Sequence, residues 1–172
     1  MITYVNVYKM HQDVHMPYFG TDYANCFDLE YFPISELVHG YTDNNTKVDR
    51  WVDKSTGDLT IYPGERLLIP TGLIFSFGKN RNLSLRLHSR SGLALKRGLI
   101  LANGTGIVDV DYTMQVFALL ANASSVQQTI SKHERICQAE ITENRPVHFS
   151  ELDNPPEALG NRTGGFGSTG TK

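Results

Sequence analysis

At 172 residues, with 40% hydrophobic and 20% charged side chains, the chain has the size and composition of one soluble domain with a sizeable core. A formal net charge of -2 leaves no basic face for general nucleic-acid binding, and no apolar run reaches membrane-spanning length. The N-terminus lacks the apolar core of a signal peptide, so the expected location is cytoplasmic, the host cytoplasm if the source is viral.

Met1 to Val7 alternates loosely and is a candidate first strand. His11 and His15 follow, on either side of Val14. Two histidines so close invite a metal reading. Without a third ligand nearby in sequence they read as surface or packing residues. Cys26 and Cys137 are far apart and show no metal-ligand spacing, so two reduced thiols are expected. Asp28, within Phe27-Asp28-Leu29, on its own fits a turn or cap residue. Residues 32–59 are polar and rich in turn signals, among them Asp43-Asn44-Asn45 and Ser55-Thr56-Gly57-Asp58. An extended surface loop or hairpin is expected there, one that tolerates deletion of Asp43 to Ser55 at little cost in loop entropy. The functional alternative is a lid or partner surface carrying Trp51.

Leu59 to Pro70 and Leu73 to Phe77 read as short strands, punctuated at Pro63-Gly64 and Thr71-Gly72. Leu83, Leu85 and Leu87 alternate with Ser84, Arg86 and His88, as in a half-buried strand. Ser89-Arg90-Ser91-Gly92 then opens a breaker-free segment, Leu93 to Arg97, the place for one short helix. A hydroxyl at its N-cap, next to free N–H groups, would seat a phosphate, and Arg90 would add a charge-assisted fork. Leu99 to Ala102 suits a buried strand. Asn103-Gly104-Thr105-Gly106 is a turn, and Ile107 to Tyr112 alternates like a strand leaving a hairpin. Val116 to Ala121 and Ile136 to Thr142 complete the strands, the latter led in by Ile130 to Arg135.

Short strands, regular turns and 15 glycines predict an all-β distorted barrel or jelly roll with one short helix over residues 1–153. From Asn154 the composition changes. Pro155-Pro156 is a stop, and residues 154–172 become a Gly-rich C-terminal arm. Such a segment cannot order itself, yet Phe166 sets it apart from a solvated tail. The arm is expected to close over a bound phosphate chain and base.

Five segments, in order, resemble the trimeric dUTP pyrophosphatases (dUTPases). SRSGLALKRGL, from Ser89, is similar to that family's second motif and GIVDVDY, ending at Tyr112, to its third. RICQAEI, from Arg135, resembles the fourth and GGFGSTG, from Gly164, the fifth. Asn25-Cys26-Phe27-Asp28-Leu29 stands at the first. Three positions depart from the family pattern. Asn25-Cys26 replaces a small pair, Met114 replaces a glycine, and Arg162 lies two rather than three residues before the Gly pair at 164.

The resemblance implies hydrolysis of dUTP to dUMP and pyrophosphate, keeping uracil out of DNA and supplying dUMP for thymidylate synthesis. It implies that Asp109 is the water-activating base and Asp111 a structural partner. Arg90, Ser91, Gly92 and Gln138 would grip the phosphates. Asn103 through Gly106 would read the uracil edge, and Tyr112 would lie under the deoxyribose. Arg162, Phe166, Gly167, Ser168 and Thr169 would form the closing arm. Mg²⁺ would be held mostly by phosphates and waters, with Asp28 facing its water shell. A homotrimer with shared sites is implied, without direct nucleic-acid binding. The alternatives are a dCTP deaminase of the same fold and a dUTPase-fold binding or regulatory module. The deaminase needs a glutamate where Leu119 stands.

Overall fold

A computed structural model describes residues 3–78, 80–158 and 160. The chain runs through Asn6–Lys9 (β1), Tyr18–Phe19 (β2), Phe27–Glu30 (β3), Leu37–Tyr41 (β4), Lys47–Trp51 (β5), Leu59–Ile61 (β6) and Arg66–Pro70 (β7). It continues through Leu73–Ser76 (β8), Leu83–Ser89 (β9), the helix Ser91–Arg97 (α1), Leu99–Leu101 (β10), Thr105–Val108 (β11), Phe117–Asn122 (β12), Gln128–Ile130 (β13) and Arg135–Glu143 (β14). The all-β expectation holds, with α1 the single helix among the described residues. The first strand starts at Asn6 rather than at the terminus.

Two five-stranded antiparallel sheets carry the structure, in the orders β10-β12-β7-β4-β5 and β11-β9-β14-β3-β2. The pairs β1-β8 and β13-β6 add two short ladders. Alternation explains why both large sheets bury one face. Leu67 and Ile69 of β7 and Leu120 of β12 point inward, as do Leu85 and Leu87 of β9, Leu29 of β3 and Ala139 of β14. All belong to one core cluster. Each fully buried Leu or Ile contributes roughly 1.5–3 kcal/mol of transfer free energy, so this shared core is the main source of stability. The two large sheets share one core, a layered all-β architecture. No ladder among the described residues closes a sheet on itself.

Two local expectations change. Leu99–Leu101 and Thr105–Val108 are not the arms of one hairpin. β10 pairs with β12 and β11 pairs with β9, so the turn at 102–104 carries the chain from one sheet to the other. Gly104, at φ 69°, donates its N–H to the Leu101 carbonyl to close that turn. The alternation at Asp109 and Asp111 is also not a strand. β11 stops at Val108, and the Tyr112 N–H turns back onto the Asp109 carbonyl at 3.2 Å.

The polar stretch at 32–59 does contain a hairpin, β4–β5, but it is no detached excursion. β4 pairs with β7 and extends the sheet, and Val38 and Val52 enter the core. Gly40 permits this docking. A Cβ there would collide with the Arg66 carbonyl and the Leu67 side chain. The hairpin also neutralises a buried charge. Glu65 is 2% exposed and accepts from the Tyr62 N–H and from Arg50 Nε, both at 3.0 Å, with a second guanidinium nitrogen on its other oxygen. Deleting Asp43 to Ser55 would remove Arg50 and strand that carboxylate, so the expectation of a harmless deletion fails.

Arg50→Ala should therefore lower stability by about 2–3 kcal/mol, the loss of a charged hydrogen bond to a buried partner. Trp51→Ala, next in sequence but 66% exposed, should change it by under about 0.5 kcal/mol. Urea denaturation of both variants at one protein concentration checks this; equal effects would contradict it.

Candidate active site

The sheet β11-β9-β14-β3-β2 sets one group of polar side chains by register. Gln138 on β14 stands opposite Asp28 on β3 and His88 on β9. Cys137 stands opposite Ser89, one residue before Arg90. The Asp28 side chain is 14% exposed. Its Oδ1 accepts from Arg90 Nε at 2.9 Å and its Oδ2 from Arg135 Nη1 at 3.0 Å. Arg90 also donates from Nη1 to the Arg135 carbonyl at 3.1 Å. One carboxylate thus holds two guanidiniums at the β9–α1 junction. The expected role of Asp28, facing the water shell of a metal, meets an arrangement in which both its oxygens are already engaged.

The helix start differs in detail from the expected hydroxyl cap. Arg90 itself is the N-cap, in extended conformation, and no side chain caps the helix. Ser89 Oγ instead accepts from the Leu101 N–H at 2.8 Å. Ser91 and Gly92 are exposed in the first turn, where helical N–H groups have no intrahelical acceptor. Gly98, at φ 65°, ends the helix with its N–H on the Ala94 carbonyl. Exposed donors beside a fixed, partly spare guanidinium give this end of the sheet the groups an anion seat requires.

A second group lines a separate cleft of about 630 Å³. Asn103, Gly106, Asp109 and Tyr112 share it with Val116 and Leu119. Gly106 lies over Leu87, where a Cβ would come within 3.1 Å of the Leu87 Cβ, a tight contact that the Leu87 side chain would have to yield to. The Tyr112 hydroxyl donates to the Gln115 carbonyl at 2.8 Å, and Gln115 Oε1 accepts from the Gly72 N–H at 3.0 Å. These bonds fix the ring as one wall. The Asp109 side chain is exposed at the cleft rim. Leu119 contributes a hydrocarbon wall where a deaminase would need a carboxylate.

The predicted residues therefore fall into two groups on one chain. Asp28, Arg90, Ser91, Gly92 and Gln138 gather at one end of the β9–β14–β3 ladder, and Asn103, Gly106, Asp109 and Tyr112 gather in the cleft. Arg162, Phe166, Gly167, Ser168 and Thr169 lie outside the described residues. Sequence reading passed over Arg135, which holds the second oxygen of Asp28. The signal was present in RICQAEI, where the arginine opens a strand beside an acidic one.

An all-β domain with an anion seat at a helix start and a separate aromatic-walled cleft is the frame of a nucleotide-binding protein. A family model described as dUTPase matches residues 54–170, more than half of the chain. The deoxyuridine 5'-triphosphate nucleotidohydrolase of Heliobacterium modesticaldum is 34% identical over 171 residues, covering 96% of each chain. The Staphylococcus bacteriophage 80alpha dUTPase, in a mutant with dUpNHpp, superposes with a TM-score of 0.74 at 16% identity, over 98% of this chain and 99% of that one. The dUTPase of S. aureus phage phi11, in a mutant that reveals the coordination of a structural Mg(II) ion, gives a TM-score of 0.67 at 13% identity. It covers 90% of this chain and 99% of that one; at these identities the two phage structures speak for the fold alone. The chain belongs to the dUTPase family.

Both cysteines are free. Burial pushes the Cys137 thiol up to about 12; the Asp28 charge adds to the shift and the Arg90 charge opposes it. Burial, with the Glu140 and Asp28 charges, also raises the Cys26 thiol. A raised thiol pKa keeps the sulfur neutral below it, so neither is a ready nucleophile. At about pH 8, native protein should react with a thiol reagent at Cys26 slowly and at Cys137 not at all, and both should react on denaturation. Rapid labelling of native Cys137 would contradict the buried register of β14.

Proposed function

We propose that the protein hydrolyses dUTP to dUMP and pyrophosphate, removing the precursor of uracil in DNA and supplying dUMP for thymidylate synthesis. The carrying observation is the pairing, on one chain of the dUTPase family, of an Arg90–Ser91 anion seat with a cleft that holds Asp109 and Tyr112. The reading as a dCTP deaminase is not favoured, since Leu119 offers no base.

Asp109 takes the proton of the attacking water at its carboxylate. The water oxygen bonds to the α phosphorus, the bond to the bridging oxygen breaks, and pyrophosphate leaves. Arg90 steadies the phosphate charge with the guanidinium edge that Asp28 leaves free, and Ser91 and Gly92 add donors near the bridging oxygen. Gln138 contributes an amide from the same ladder. Asn103 and the backbone through Gly106 read the uracil edge, and Tyr112 packs beneath the sugar and crowds out a 2′-hydroxyl. Arg162, Phe166, Gly167, Ser168 and Thr169 belong to the arm that closes over base and phosphates. Mg²⁺, when bound, neutralises the phosphate chain. Such an ion would be held mostly by phosphates and waters, with Asp28, whose two oxygens already accept from Arg90 and Arg135, reaching it only through water.

The active form is a homotrimer. Two half-sites on one chain support it, because the anion seat and the cleft complete each other only where a neighbour brings its half. Exposed apolar side chains beside the cleft, Leu68, Ile107 and Phe117, also call for cover. No helix among the described residues is long and apolar enough to cross a membrane.

Asp109→Asn should lower kcat by about 10² to 10⁴, the usual contribution of a general base, with little change in affinity for a non-hydrolysable dUTP analogue. Single-turnover kinetics and calorimetry separate the two. Near-normal turnover would overturn the assignment.

A further inference from the structure

Four carboxylates of the described residues are largely buried at their side chains and held in ion pairs. Three meet arginines: Asp28 with Arg90 and Arg135, Glu65 with Arg50, and Glu134 with Arg97. The fourth, Glu30, is 15% exposed and meets only two imidazoles. His15 Nδ1 lies 2.8 Å from Glu30 Oε2, and His133 Nδ1 lies 3.3 Å from the same oxygen. The two rings stack, with centroids 4.2 Å apart and planes 19° from parallel. No arginine or lysine nitrogen of the described residues lies within ion-pairing distance of Glu30.

We infer that His15, Glu30 and His133 form a site for a divalent transition metal of the zinc class, separate from the nucleotide chemistry. Their donor atoms lie within 4.8 Å of one another. Around a tetrahedral ion with bonds of about 2.0–2.2 Å, donors stand about 3.3–3.6 Å apart, so small rotations of exposed His15 close the set. Two histidines and one carboxylate favour zinc, cobalt or nickel over magnesium, which takes oxygen ligands.

The surroundings fit. The site opens into a cleft of about 550 Å³ that leaves a coordination position to solvent and is also lined by Asp13. The two lysines on that cleft are engaged elsewhere. Lys9 Nζ donates to the Gln12 carbonyl at 2.8 Å, and Lys132 Nζ sits 4.8 Å over the Phe32 ring. Phe32 packs edge-on against His133 and orients it. His133 holds a left-handed φ of 66°, costly for a non-glycine residue, and its N–H is tied to the Tyr31 carbonyl at 2.8 Å. The third ligand stands 15 residues beyond His15 on β3, and the turn between β13 and β14 brings in the other histidine from 118 residues away. A bound ion would pin the segment around His15 to the turn that launches Arg135.

The test uses tag-free, full-length protein stripped with a chelator, in the absence of magnesium and nucleotide. Cobalt titration should give one ion per chain with a visible absorption band, zinc should displace it, and zinc in about 100-fold excess over its Kd should raise Tm by a few degrees. His15→Ala, Glu30→Gln and His133→Ala should each abolish stoichiometric uptake, and His39→Ala and His148→Ala should keep it. Should a variant fold poorly, the unaltered protein still decides, because cobalt should broaden the imidazole NMR signals of His15 and His133 first. Absent stoichiometric uptake, uptake unchanged in the three ligand variants, or broadening centred on other histidines would each overturn the site.

Discussion

One carboxylate holding two guanidiniums fixes the β9–α1 junction. Asp28 Oδ1 and Oδ2 accept from Arg90 and Arg135, and Arg90 also reaches the Arg135 carbonyl. The three residues come from β3, the β9–α1 junction and β14, so the contact locks three elements across the ladder order β9-β14-β3. Its strength comes from partial burial. An ion pair in bulk water is worth little, but at 14% side-chain exposure Asp28 is poorly solvated and costly to leave unpaired. Arg90 spends one edge on Asp28 and the Arg135 carbonyl, and the rest of its fork remains directed by that anchor. On the proposed function, a phosphate would meet a donor already fixed in place, which lowers the ordering cost of binding.

The same economy of position governs the cleft. Gly106 lets β11 lie close to Leu87, and the turn at 102–104 passes the chain between the two sheets. The Tyr112–Gln115–Gly72 hydrogen bonds then hold the aromatic wall against the loop that follows β7. Neither half depends on the other within the chain. That separation is what the proposed homotrimer rests on, since a nucleotide has to touch a base-reading wall and a phosphate grip at once.

Much of this was legible in the sequence, and the failures have causes. Alternating leucines on β9 and the apolar run of β12 announced strands, because burial on one face imposes period two. The segment Leu93–Arg97 announced its helix through the absence of breakers, and the observed helix starts two residues earlier, at Ser91. Asn103–Gly106 reads as a turn opening a hairpin, but the chain turns at 102–104, Thr105 and Gly106 already belong to β11, and the flanking strands pair in different sheets. Turn chemistry fixes a local reversal, and nothing local says which strand each arm will pair with. Arg50 and Glu65, and His15, Glu30 and His133, were invisible for a related reason. Their contacts join residues 15 to 118 positions apart, which only the folded sheet brings together.

The central claim is that the Arg90 seat and the Asp109 cleft act together only across subunits. Mixing two inactive variants tests it most directly: Asp109→Asn, which spoils the cleft, and Arg90→Ala, which spoils the seat. After joint unfolding and reassembly at equal amounts, shared sites predict recovery of about a quarter of the normal dUTP turnover, because a site is intact only when each half comes from the unspoiled chain. Mixed assemblies verified by native mass spectrometry that stay as inactive as either variant alone would contradict the account.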